Sequence, residues 1–193
     1  MVDALSAGFC CFKSHLGHLW AGFCPDFLLR CWPLVARRVR TGVAVVATAL
    51  ILAGAADAAS TASLTPSESS LLTAMNEARL ANGMQPLRAD VRLERAARAH
   101  SSKMLRTGTF FHGAFSWRIR RVGVRAPHIG ENLAWGQGAL SAARSIVRAW
   151  LASPEHRANL LHPGYRLVGV GALRGRFDGR ANALMVTTDF AGH

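Results

Sequence analysis

The sequence predicts an α+β domain in which several helices pack on a sheet closed by a C-terminal antiparallel pair. Two observations carry this expectation. Between Thr65 and Leu160 apolar residues recur at helical spacing behind recognisable caps, whereas after Pro163-Gly164 the period changes to strand-like alternation. Half of the residues are hydrophobic and only 18% are charged, which favours a packed globule over a disordered chain. A chain of 193 residues has room for one such domain and an appendage.

Thr65-Pro66-Ser67-Glu68 reads as a helix start, with a Thr cap, Pro at the first helical position and Glu closing a capping box. This helix is expected to run to about Asn82, burying Leu71, Leu72, Met75 and Ala78 before Gly83 stops it. Asp90 caps a second helix whose inward stripe is Leu93, Ala96, Ala97, His100 and Met104, ending at Thr107-Gly108. A short third helix is expected from Ser116 to Val122, ending at Gly123. A fourth, from about Ala139 to Leu151, buries Ile146, Val147, Trp150 and Leu151. Ser153-Pro154-Glu155 repeats the cap, proline and acid pattern and begins one more turn or two. Val168, Val170 and Ala172 then alternate with Gly169, Gly171 and Leu173 as a strand. A second strand runs from Ala181 to Phe190 after a turn between Gly175 and Gly179.

Upstream of the domain, Arg37, Arg38 and Arg40 precede an apolar run from Val43 to Ala56 and the small residues Ala56 and Ala58. That order is the order of a signal peptide, here residues 37–59, with cleavage expected after Ala58 or Ala59. The run is too short for a spanning helix, which needs about 20 residues, so membrane contact is expected to be transient. The Arg37-Arg38 pair is not followed by the apolar residues of a twin-arginine signal, and general secretion is the expected route. Residues 1–36 form an extension of undefined role, either an unusual leader or sequence ahead of the true start. All four cysteines (Cys10, Cys11, Cys24 and Cys31) fall within it, so residues 60–193 contain no disulfide and hold together by packing. The expected location is secreted, periplasmic or associated with the cell envelope.

From Ser60 onward 18 Lys and Arg stand against 8 Asp and Glu, a net of +10. Arg88, Arg92, Arg95 and Arg98 dot one helix region, and Arg118, Arg120, Arg121 and Arg125 another. Two readings follow: a solvated basic surface, or a contact for a polyanion or anionic membrane. Nothing in the pattern reads nucleic-acid sequence.

Three segments are polar where a simple globule needs no polarity: Phe110-Phe111-His112, Gly130-Glu131-Asn132-Leu133-Ala134, and Trp150 to Leu160. Glu131 lies between Ile129, Leu133 and Trp135, so its carboxylate is expected to be partly desolvated and to want a partner such as an imidazole. Taken alone, His112 reads equally as a core-edge histidine, and His156 as one that bonds backbone near a helix start. His100 sits on an apolar face, where burial is the usual reason. Ser153 reads as a cap and not as a nucleophile, because no Asp beside His156 completes a triad. Asn132 and Asn159 are expected to hold loops through their amides. Trp117, Trp135 and Trp150 are expected in the core.

These pieces resemble, in order, the bacterial type of the CAP superfamily (cysteine-rich secretory, antigen 5 and PR-1-like). They run from Asn76-Glu77-Ala78-Arg79 through His100-Ser101, His112, Arg118, Gly130-Glu131-Asn132, the Ser153-Pro154-Glu155-His156 segment and Val168-Gly169-Val170-Gly171 to Asp189-Phe190. The resemblance covers about residues 68–190. It implies an α-β-α sandwich and a cleft holding two His and two acids, which in some relatives binds a divalent metal. Carried over by motif, the cleft residues are His112, Glu131 and His156, with zinc or another divalent ion as a cofactor those three would ligate. For the fourth member Glu155 is the only nearby acid, since 139–151 has none.

Three functions follow from that resemblance. The first is a secreted binding module whose cleft takes a small apolar, lipid-like or cell-envelope ligand. The second is a structural or host-facing surface protein. The third is a metal-assisted hydrolase or protease in which His112 and His156 hold the ion and Glu131 acts as base. They rank in that order, because a complete metal site would need a fourth carboxylate that the motif does not supply. Oligomeric state is not written in the sequence.

Overall fold

Thr65 and Asp90 start the first two helices as their side chains require. The Thr65 hydroxyl and the Glu68 carboxylate close a reciprocal capping box, and Asp90 accepts from the amides of Arg92 and Leu93. The computed structural model describes residues 63–192; the signal peptide, the N-terminal extension and the cysteines lie outside the described residues.

The elements are α1 (Pro66–Ala81), β1 (Arg88–Ala89), α2 (Val91–Thr107), α3 (Phe115–Arg121), β2 (His128–Gly136), α4 (Ala143–Ala152), α5 (Pro154–Leu160), β3 (Tyr165–Phe177) and β4 (Arg180–Gly192). A 3₁₀ turn, Gly138–Ser141, precedes α4, so the expected helix from Ala139 is split: its first turn is tighter and the α-helix begins at Ala143. The sheet order is β1-β3-β4-β2, with β1 parallel to β3 and the other pairs antiparallel. Among the described residues no helix is long and apolar enough to cross a membrane.

One sheet face carries Val168, Val170, Ala172, Leu184, Val186 and Phe190, and packs against Leu71 and Met75 of α1 and Ile146, Val147 and Trp150 of α4. The other carries Leu133, Ala183, Met185 and Ala191, beneath Leu93 and Met104 of α2 and Phe115 and Ile119 of α3. The α-β-α sandwich is therefore the observed architecture. Gly169 and Gly171 explain why α2 can lie so close. A Cβ at Gly169 would sit 2.0 Å from the carbonyl carbon of Leu93, and one at Gly171 2.4 Å from that of Ala97. The alternating glycines of β3 are the seat of a helix, and Ser101 pins that helix by donating to Gly171 O at 2.8 Å.

Trp117 is 55% exposed on α3, with Arg121 stacked over its ring at 5.0 Å, and is not a core residue; a seven-residue helix needs only Phe115 and Ile119 to dock. Asn132 and Asn159 make the expected amide bonds to backbone groups, but they make them from β2 and α5 and not from loops.

Candidate functional site

The strand β2 was the element least visible in the sequence, and it organises the site. It is an edge strand paired to β4 with Glu131 opposite Asp189 and Asn132 opposite Thr188. Successive strand residues point to opposite faces, so Glu131 and Asn132 serve the two sides of the edge.

On the α2/α3 side Glu131 is fully buried. Its Oε1 lies 2.6 Å from His112 Nδ1, and its Oε2 accepts from Arg118 Nη2 of α3. The same Arg118 nitrogen reaches Oδ1 of the fully buried Asp189 at 3.1 Å, and Arg118 Nη1 donates to His112 O at 3.3 Å. One guanidinium thus bridges two carboxyls and the loop that presents the imidazole.

A single cation cannot offset the burial of two carboxyls. Burial pushes Glu131 up to about 7 and Asp189 up to about 8, each against the lowering pull of Arg118. Arg118, facing both, is held charged above its ordinary value. Glu131, with both oxygens accepting, is the member suited to remain ionised, and Asp189 the one suited to keep its proton. Nearby, His100 is pushed down to about 4, first by burial and then by the charge of Arg118, so it is neutral at physiological pH; its Nε2 bonds Phe111 O at 2.7 Å.

On the opposite side Asn132 Nδ2 donates to the main-chain oxygen of His156 at 3.0 Å. Asn159 Nδ2 donates to Glu131 O at 3.0 Å and to Asn132 Oδ1 at 3.1 Å. The two amides stitch α5 onto β2. Gly130 has a matching reason to be glycine, since a Cβ there would lie 2.3 Å from Tyr165 Oη and 2.7 Å from Asn159 Oδ1. The Ser153 hydroxyl makes no cap bond; it sits 2.6 Å from His156 Nδ1 and orients that ring.

Of the four residues read from the sequence, His112 and Glu131 are in direct contact. His156 is tied to the same strand one residue further on, through its backbone. Glu155 is exposed in the first turn of α5 and joins none of these bonds. The second acid of the buried cluster is Asp189. Sequence reasoning passed over Asp189 and Arg118 as site residues, although an acid at an inward position of an otherwise apolar strand was a usable signal. A further buried cation, Arg79, is satisfied by the carbonyls of Gln85, Leu160, His162 and Tyr165 without any carboxylate.

The carboxyls of this set are not arranged as metal ligands: both Glu131 oxygens accept hydrogen bonds, and Arg118 already supplies the positive charge beside Glu131 and Asp189. The bonds at Nδ1 of His112 and His156 are of the kind that also orients an imidazole ligating through Nε2. Among the described residues no three His, Cys, Asp or Glu are grouped so as to hold an ion.

Fold and site together define a helix-sheet-helix sandwich in which Glu131 of the edge strand meets His112 and Arg118, and Arg118 reaches Asp189 on the neighbouring strand. The chain belongs to the CAP (cysteine-rich secretory protein) family, whose model matches residues 72–190. The uncharacterized protein YkwD of Bacillus subtilis (strain 168) is 31% identical over 109 residues, 54% of this chain and 41% of that one. An extracellular protein containing a SCP domain from Bacillus anthracis str. Ames superposes with a TM-score of 0.56 at 25% identity, covering 67% of this chain and 44% of that one. An outer surface protein from Borrelia burgdorferi superposes at 0.55 with 22% identity, over 66% of this chain and 93% of that one. The chain spans less than half the length of the two bacillary relatives.

Proposed function

We propose that this chain is exported and acts as a binding module, taking a lipid-like or cell-envelope ligand at the His112/Glu131/His156 region without turning it over. The observation that carries this reading is the engagement of Glu131: each of its oxygens takes a hydrogen bond from inside the protein, which commits the carboxylate to holding His112 and Arg118 in place. The network is suited to holding a surface rigid, and rigidity lowers the cost of binding. Membership of a secretory family and likeness to an extracellular bacillary protein support export.

The test is to incubate the purified chain with a total lipid and envelope extract, re-isolate it by size exclusion and identify by mass spectrometry what co-elutes. A stoichiometric, chemically unaltered ligand, captured less well by Glu131→Gln, is expected. Accumulation of cleaved products over many turnovers, abolished in that variant, would replace the binding module with a hydrolase.

A further inference from the structure

Two hollows flank α3, and the first reaches the His112–Glu131 contact from outside, since Phe111, Gly113 and Arg118 line it. The first, about 590 Å³, lies between α2 and α3 and carries Arg95, Lys103 and Arg121 around a floor that includes Phe111 and Trp117. The second, about 650 Å³, carries Arg88, Arg92, Arg125 and Arg166. They meet where Val122 lines one and Gly123 the other, and where Arg92 and Arg95 stand one turn apart on α2.

No carboxylate lines either hollow. Arg92 is committed to Asp90, but Arg88, Arg95, Lys103, Arg121, Arg125 and Arg166 are all exposed and form no ion pair among the described residues. Arrays of like charge repel and are kept apart by solvent unless a counter-charge is brought to them. On α2 the stretch from Arg92 to Lys103 alone covers about 16 Å, too long for one small anion. The first hollow adds flat rings: Lys103 Nζ lies 5.2 Å from the Phe111 centroid and Arg121 Cζ 5.0 Å from that of Trp117. In both pairs the cation lies over the ring, and Trp117 keeps 55% of its surface exposed beside it.

We propose that the α2/α3 face is a binding surface for a linear anionic glycopolymer, with sugar faces on Trp117 and acidic groups spaced along the exposed cations. A membrane surface fits less well, because Trp117 is the one large apolar side chain exposed there among several exposed cations. Choosing a glycopolymer over a nucleic acid rests on the export proposed above; the surface shares Arg118 with the His112/Glu131 region and extends from it along α2 and α3.

The test uses the full chain and dextran sulfate, with neutral dextran, single-stranded oligodeoxythymidine and phosphatidylglycerol vesicles as the other arms. Dextran sulfate is expected to bind with an affinity that falls at least about tenfold between roughly 50 and 200 mM salt, as for other multivalent ion contacts. Neutral dextran is expected not to bind. Removing three charges here (Arg95→Gln, Arg121→Gln, Arg125→Gln) is expected to weaken binding about tenfold more than removing three elsewhere (Arg148→Gln, Arg176→Gln, Arg180→Gln), with unchanged melting in both. Equal weakening by the two triple variants would reduce the effect to net charge and overturn the proposal. Tighter binding of the oligonucleotide or the vesicles would overturn it too, while leaving the binding-module reading intact.

Discussion

Replacing Arg118 by Met removes the one Lys or Arg among the described residues that pairs with Glu131 and Asp189, while keeping much of the side-chain volume. Both carboxyls are fully buried and sit opposite each other across β2 and β4. Breaking a buried ion pair by deleting one partner costs about 3–5 kcal/mol, because the remaining charge is left uncompensated. That cost exists only while the carboxyls are ionised. Without Arg118 their proton affinities rise further, since its charge is the leading lowering influence on each. At pH 5 both then hold protons in the folded variant, and the loss shrinks to about 1–2 kcal/mol for the hydrogen bonds no longer made. Urea unfolding of wild type and variant at pH 5 and pH 8 measures the two differences directly. The expected result is a large gap between the stabilities at pH 8 and a small one at pH 5. A pH-independent difference, or one below about 1 kcal/mol at pH 8, would refute the electrostatic account of the site.

In the wild type the same groups shape the pH profile. Glu131 and Asp189 have folded values raised above their unfolded ones, so their contribution is fully present below about pH 4 and lost as pH rises through about 7 and 8. His100, depressed to about 4, works in the opposite sense: its contribution holds above its ordinary 6.5 and is lost as pH falls toward 4. With two carboxyls working against one imidazole, urea midpoints are expected to fall from about pH 5 to about pH 8, and a profile that rises over that range would contradict the assignment. Gly169→Ala drives a methyl into the α2 backbone and is expected to cost at least about 1–3 kcal/mol by denaturant melt; a silent substitution would mean that α2 does not seat on β3 as described. Zinc calorimetry on the whole chain is expected to show no isotherm that depends on His112, and a one-to-one isotherm that disappears in His112→Ala would restore a metal site.

Much of the fold was legible because its signals are local. Thr65, Asp90, Gly83 and Gly108 mark the ends of the first two helices through side-chain caps and left-handed backbone, and the structure reproduces them. The strand β2 was not legible as a strand. Residues Gly130 to Ala134 are buried on both sides, so no polar alternation marks them. Trp117 misled for the opposite reason: an aromatic residue is assigned to a core by composition, and only the tertiary packing of α3 leaves it outside. In the site, Glu131 and His112 could be named from motif. Their partners Arg118 and Asp189 lie 13 and 58 residues from Glu131 along the chain, and only strand register and the docking of α3 bring them together. The choice of Glu155 followed sequence proximity, whereas the second acid came from across the sheet.

Gly130, Glu131 and Asn132 occupy three consecutive places, each fitted to a different neighbour: a tyrosine ring, an arginine and a helix carbonyl. Sliding β2 by a single position along β4 would turn the carboxylate toward α5 and the amide toward Arg118, and would press a side chain into Tyr165. An outermost strand is ordinarily the one freest to mispair or to recruit a foreign chain. Here the tripeptide acts as a key cut for one alignment, so the border of the sheet is among its most strictly specified parts.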